Sequence, residues 1–173
     1  MMQTDVKSAR LTQSGWLISG PARVKSISIR AGNGAATGRT SLFDTNTAPV
    51  AATYAQSGTT VTVTKVAHGL NTGDTIGISY YPASGISATN GNYIITRTGA
   101  DTFTITDPNS NTVASSTVCI YAIGNSYMFF FAIATGDIYQ NALLFPGEGI
   151  KASQKVYAYF DAAYVFSVTV FYG

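Results

Sequence analysis

Charge is what this sequence has least of. Only 10% of its 173 residues are Asp, Glu, Lys or Arg, against about 25% in an ordinary soluble domain. Thr, Ser, Asn, Gly and Tyr must cover the surface instead, and a surface of that kind is suited to lie against other protein subunits. Ten basic and eight acidic residues leave a net charge of +2, too small and too dispersed for the electrostatic footprint of a nucleic-acid binder. Lys7, Arg10, Arg23, Lys25, Arg30 and Arg39 nevertheless load the N-terminal third with positive charge. That bias serves either as a solvated face or as a docking face for an acidic partner.

Cysteine and histidine are nearly absent. Cys119 is the only cysteine, which excludes an intramolecular disulfide; in the apolar run Val118-Cys119-Ile120-Tyr121 it reads as a small buried hydrophobe. His68 is the only histidine, so a His-rich zinc site is excluded. No apolar stretch approaches the roughly 20 residues that a membrane-spanning helix needs. The polar start, Met1-Met2-Gln3-Thr4-Asp5, has no apolar core of a signal peptide, and folding in a cytoplasm is expected. At this length the chain holds one domain or two small ones, enough to bury a core without disulfides or metal.

What is present is alternation. Thr102-Phe103-Thr104-Ile105-Thr106 sets Phe and Ile on one face and threonines on the other, and Thr60-Val61-Thr62-Val63-Thr64 does the same. Lys25-Ser26-Ile27-Ser28-Ile29-Arg30 and Ser167-Val168-Thr169-Val170-Phe171 repeat the pattern. A period of two in β-branched and aromatic residues predicts strands. Turn residues punctuate the runs at Gly32-Asn33-Gly34, Asn90-Gly91-Asn92, Pro108-Asn109 and Pro146-Gly147. Asp107-Pro108-Asn109-Ser110-Asn111 is expected to be a loop. It is no EF-hand, since the required glycine and terminal Glu are missing. With no capped 3.6-residue stripe anywhere, the chain is predicted to be all-β, built as sandwiches or small barrels.

Composition divides the chain into three blocks. The middle one is dense in Thr, Ser, Asn and Gly, and the last is rich in Tyr and Phe. The outer blocks are each too short for a core of their own; together they have the size of one β-sandwich. The expected arrangement is a split outer, jelly-roll-like β-sandwich of residues 1–55 and 122–173, with residues 56–121 inserted into one of its loops as a small β-barrel. The rival arrangement is three blocks in a row as an elongated rod. Val168-Thr169-Val170-Phe171-Tyr172 is expected to be locked inside a sheet, because free terminal segments fray.

The middle block resembles the module named after the first catalytic cysteine half-domain of ubiquitin-activating enzymes, copies of which occur inside bacteriophage structural proteins. The resemblance is carried by the strand Val61 to Lys65, Ala67-His68-Gly69-Leu70 with Thr72-Gly73-Asp74, the strand Ile76 to Tyr80, Asn90 to Ile95 and Asp101 to Ile105. It implies a small six-stranded barrel-like fold without chemistry of its own. The outer blocks resemble short virion proteins of marine and cyanobacterial phages. That likeness rests on Arg23 to Ile29, Thr40 to Asp44, Leu143-Leu144-Phe145-Pro146-Gly147-Glu148-Gly149-Ile150-Lys151 and Val168 to Gly173. It implies a β-sandwich that decorates or joins parts of a particle.

Candidate chemistry is sparse. Catalysis in ubiquitin-activating enzymes needs an adenylating domain and a nucleophilic cysteine; here no Gly-rich nucleotide-binding unit occurs and Cys119 has no recognisable base beside it. His68 is expected to bridge backbone groups in its turn while Gly69 takes an unusual dihedral, and Asp74 to accept from nearby N–H groups. Asp101, Asp107, Asp137, Glu148 and Asp161 sit beside turn residues, and no spacing among them marks a paired-carboxylate site. The aromatics carry more. Tyr127-Met128-Phe129-Phe130-Phe131 reads as a strand buried on both faces or as one that meets a neighbouring subunit. Tyr157, Tyr159, Phe160, Tyr164 and Phe166 form the candidate interface, since Tyr and Phe are enriched in subunit contacts; core plus rim, or stacking on sugars, are the alternatives.

The function expected is that of a non-enzymatic structural protein of a phage virion. The first expectation is a capsid decoration or cement protein that binds the major capsid protein and associates with its own copies. A tail, neck or fibre-attachment component is the alternative, and a glycan-binding module the second. No cofactor, metal, nucleic acid or membrane is called for.

Overall fold

The computed structural model describes residues 6–31, 38–82, 86–133, 143–161 and 163–173. Asp137, the N-terminal Met1–Asp5 run and the Gly32-Asn33-Gly34 turn lie outside the described residues. The described chain is all-β and contains no helix. Its strands are β1 (Lys7–Leu11), β2 (Gly15–Ile18), β3 (Ala22–Ala31), β4 (Gly38–Thr45), β5 (Val50–Thr64), β6 (Thr75–Tyr81), β7 (Gly91–Ile94), β8 (Thr96–Arg97), β9 (Thr102–Ile123), β10 (Tyr127–Ile133), β11 (Leu143–Leu144), β12 (Ile150–Ala152), β13 (Lys155–Phe160) and β14 (Val165–Tyr172). The sheets are curled, one of them into a half-barrel. Two compact units emerge: a discontinuous one, 1–46 with 128–173, and a continuous one, 47–127.

In the discontinuous unit, a five-stranded sheet runs β1-β14-β3-β11 with β12 also paired to β3, and a four-stranded sheet runs β10-β4-β13-β2. The alternation explains the core. Val24, Ile27, Ile29, Val168 and Val170 come from the first sheet, Leu17, Ile18, Leu42, Val156, Ala158 and Phe160 from the second, and all belong to one buried cluster. β14 lies between β1 and β3, with Val170 opposite both Ala9 and Ile27, so both its edges are paired and it cannot fray freely. β10 is neither fully buried nor free: Phe129 and Phe131 stack on each other 6.3 Å apart and pack against the core, on an edge of the four-stranded sheet.

In the continuous unit the sheet order is β5-β9-β6-β7, with β8 also on β9. Val61, Val63, Ile76, Ile78, Phe103, Ile105, Cys119 and Tyr121 form its core, and the Tyr54 and Tyr80 rings meet there at 4.5 Å. This unit takes in β5 and β9 whole because they pair from Val50↔Tyr121 to Thr64↔Thr102. The expected loop at Asp107–Asn111 is part of β9 instead. Between the pairs Thr60↔Thr106 and Gly58↔Asn111 the β9 strand has four residues where β5 has only Thr59. That bulge tolerates Pro108, which cannot donate to a ladder. Asp107 holds the bulge from within. It is 1% exposed and accepts from the Thr89 N–H at 2.5 Å, the Thr89 hydroxyl at 3.0 Å and the Asn109 N–H at 2.7 Å. In β6, Gly77 is required by a close approach: a methyl there would run into the Tyr127 backbone nitrogen and the Ser126 hydroxyl.

Candidate functional site

The four-stranded sheet has one face on the core and one facing away from it, and the second collects aromatic side chains. β13 alternates half-buried Lys155, Tyr157 and Tyr159 with buried Val156, Ala158 and Phe160. Tyr157 stands opposite Trp16 of β2 and Phe43 of β4, and directly opposed residues share a face with Cβ atoms about 5 Å apart. The result is a row Trp16–Tyr157–Phe43 across three strands. Phe43 is fully buried, whereas Trp16 is 39% exposed. Trp16 meets Tyr157 edge-on, centroids 5.0 Å apart and planes at 86°, the arrangement that opposed ring quadrupoles favour. Lys155 Nζ lies over the indole, 5.4 Å from its centroid, within range of a cation–π attraction.

A bulge makes this row. The β13–β2 register shifts between Val156 and Tyr157, pairing Val156 with Ile18 but Tyr157 with Trp16. Leu17 and Ile18 can then both enter the core while Trp16 turns outward.

The five aromatics expected to form one interface do not share a surface. Tyr157 and Tyr159 lie on the outer face just described. Phe160, 2% exposed, belongs to the core on the other side of the same strand. Tyr164 is half-buried in the turn after β13, where its N–H donates to the Asp161 carbonyl at 3.0 Å. Phe166 is 50% exposed on the five-stranded sheet, at a register shift between Val165 and Ser167, with Arg30 6.0 Å from its ring centroid. Sequence reasoning missed Trp16, Phe43 and Lys155. Lys155 was within reach, two residues before Tyr157 on the same pleat; Trp16 was not, because a bulge decides which way it points. Burial first, then the neighbouring Asp161 and Tyr157, pushes the Tyr159 phenol above its ordinary range, so it presents an O–H.

His68, Asp74, Asp101 and Asp107 of the continuous unit are committed to structure. His68 Nδ1 accepts the Leu70 N–H at 3.0 Å and its Nε2–H donates to the Gly99 carbonyl at 3.2 Å, which sets the tautomer and uses both nitrogens. Gly69 has φ of 70° and Ala67 of 50°; the strained Ala67 is held by its N–H bond to Asp101 at 2.8 Å. Asp74 accepts from the Asn71 N–H at 2.7 Å. Burial pushes the Cys119 thiol far above its ordinary range, which removes the thiolate that a nucleophile needs. Among the described residues, no group of three or more His, Cys, Asp or Glu is placed to hold a metal ion.

No protein-family model matches the chain, and no curated protein matches it in sequence.

Proposed function

We propose that this chain is a non-enzymatic structural protein of a bacteriophage particle, a decoration or cement protein that binds the major capsid protein in the virion. The particle is suggested by the resemblance of the outer segments to short phage virion proteins; the mode of attachment is suggested by the outer face of the four-stranded sheet. In this reading the discontinuous unit is a jelly-roll-like sandwich and the continuous unit a small barrel inserted into its sequence. The single observation that supports adhesion is the row Trp16–Tyr157–Phe43 with Lys155 over the indole. Rings graded from buried to exposed, with polar tips and few charges, suit the desolvated centre of a protein contact. Contacts of modest strength repeated over many copies on a symmetric shell add up, and self-association into a closed ring would multiply them further. Neither nucleic acid nor membrane is a partner in this reading.

The test is occupancy on purified particles. Trp16→Ala and Tyr157→Ala should each lower it by roughly tenfold, the effect of about 1.4 kcal/mol at a contact centre, with the fold unchanged by circular dichroism. Undiminished occupancy counts against this face, and a protein found free in the host but missing from particles counts against the whole reading. Copy number separates the two virion locations: hundreds favour the shell, whereas the count of a small ring favours a tail, neck or fibre-attachment site. A glycan-binding role is weakened by Lys155, which occupies an indole face on which a sugar would stack; binding on a glycan array would restore it.

A further inference from the structure

The cations are concentrated on a different sheet. Lys7 and Arg10 in β1, Arg23, Lys25 and Arg30 in β3 and Lys151 in β12 place six of the ten basic residues in the five-stranded sheet, and none of that sheet's strands contains Asp or Glu. Register assigns their faces. Ala9, Val24, Ile27 and Val170 point to the core. Arg10, opposite Thr169, and Ser28, also opposite Thr169, therefore point away from it, as does Arg30 further along β3. Arg23 and Lys151 stand directly opposite each other on that outer face, a like-charge pairing that destabilises a sheet unless an anion relieves it. Glu148 reaches Arg23 at 3.5 Å while 80% exposed, a weak contact that a better ligand displaces. At the same end of the sheet, Lys7, Arg23, Lys25, Glu148 and Tyr172 line a cleft of ≈ 460 Å³.

We propose that the outer face of the five-stranded sheet, with this cleft at its end, docks a carboxylate-rich stretch of a partner protein. Charge complementarity selects an anion, and the apolar groups on the same sheet select a protein. Leu144, opposite Ser26 and 74% exposed, and Phe166, 50% exposed beside Arg30, interrupt the cations. A phosphate backbone offers such groups nothing, whereas a mixed acidic and apolar protein surface covers them. This site is independent of the aromatic row, which lies on the other sheet.

The experiment measures binding of the full chain to fluorescent poly-L-glutamate at low salt, beside a single-stranded DNA of matched charge. Poly-L-glutamate binds, and more tightly than the DNA. The triple variant Arg10→Gln/Arg30→Gln/Lys151→Gln binds about tenfold more weakly, as expected for three exposed charge contacts. The single variants Arg10→Gln and Lys151→Gln each give a smaller loss, so the test does not depend on the triple variant's folding. Lys65→Gln/Arg97→Gln, in the other unit, and Trp16→Ala leave binding unchanged. The proposal is overturned if poly-L-glutamate does not bind, if the Lys65/Arg97 variant loses as much as the triple one, or if the DNA binds more tightly.

Discussion

Ser14 and Phe160 are 146 positions apart and hydrogen-bonded twice: the Ser14 hydroxyl donates to the Phe160 carbonyl at 3.1 Å and accepts the Phe160 N–H at 3.0 Å. One side chain thus closes the end of β13 onto the approach to β2. Ser14→Ala removes both bonds and leaves two backbone groups in want of partners. The expected loss is about 1–2 kcal/mol, read as a lower urea midpoint with an unchanged slope.

Positions on the two faces of β13 should respond in opposite ways. Phe160→Ala opens a cavity in the core of the discontinuous unit and costs about 3–5 kcal/mol. Tyr157→Ala, on the half-exposed face, costs about 1 kcal/mol, the scale of one lost ring contact, yet lowers particle occupancy roughly tenfold. Urea unfolding and particle occupancy measured on both variants separate the effects; equal destabilisation would contradict the assignment of faces.

His68 serves its turn, with one nitrogen on Leu70 and the other on Gly99. His68→Ala should lower the stability of the continuous unit by about 1–2 kcal/mol through two lost hydrogen bonds. The edge contact with Phe103, centroids 5.2 Å apart, is lost as well. Particle binding, corrected for the folded fraction, stays unchanged.

Alkali should weaken the continuous unit. Burial raises the Cys119 thiol above its ordinary 9.0 and the Tyr80 phenol above its ordinary 10.0, and pushes Tyr93 up to about 12. Below pH 9 these groups are protonated in both folded and unfolded chains and do not affect the balance. Above it the unfolded chain releases the Cys119 proton, and above 10 the Tyr80 proton, while the folded chain keeps both; stability therefore falls as pH rises. Each of these two groups contributes a slope of up to about 1.4 kcal/mol per pH unit. Urea midpoints followed from neutral to strongly alkaline pH give the slope, and Cys119→Ala should remove its first part. Tyr80→Phe should remove a later part and cost little at neutral pH, since the buried Tyr80 hydroxyl has no hydrogen-bond partner among the described residues. A flat profile would contradict the burial of both groups.

Much of the local structure was legible. Period-two runs such as Lys25–Arg30, Thr60–Thr64 and Thr102–Thr106 lie in β3, β5 and β9, because a pleated strand puts alternate side chains on opposite faces whatever surrounds it. The same rule separates Tyr157 and Tyr159 from Phe160, a division that aromatic content alone obscured. Asp107–Asn111 misled because Asp, Pro and Asn mark turns, and a strand bulge has the same backbone needs as a turn.

The sequence by itself determined that this chain is built of strands, which positions share a pleat, and that it holds a single His and a single Cys. Only the tertiary structure decided that Trp16 joins Tyr157, that Ser14 ties down Phe160, and that six cations share one sheet. The reason is physical: alternation is a property of consecutive residues, whereas bulges and strand order depend on partners distant in the sequence, such as Trp16 and Tyr157, and nothing local encodes them.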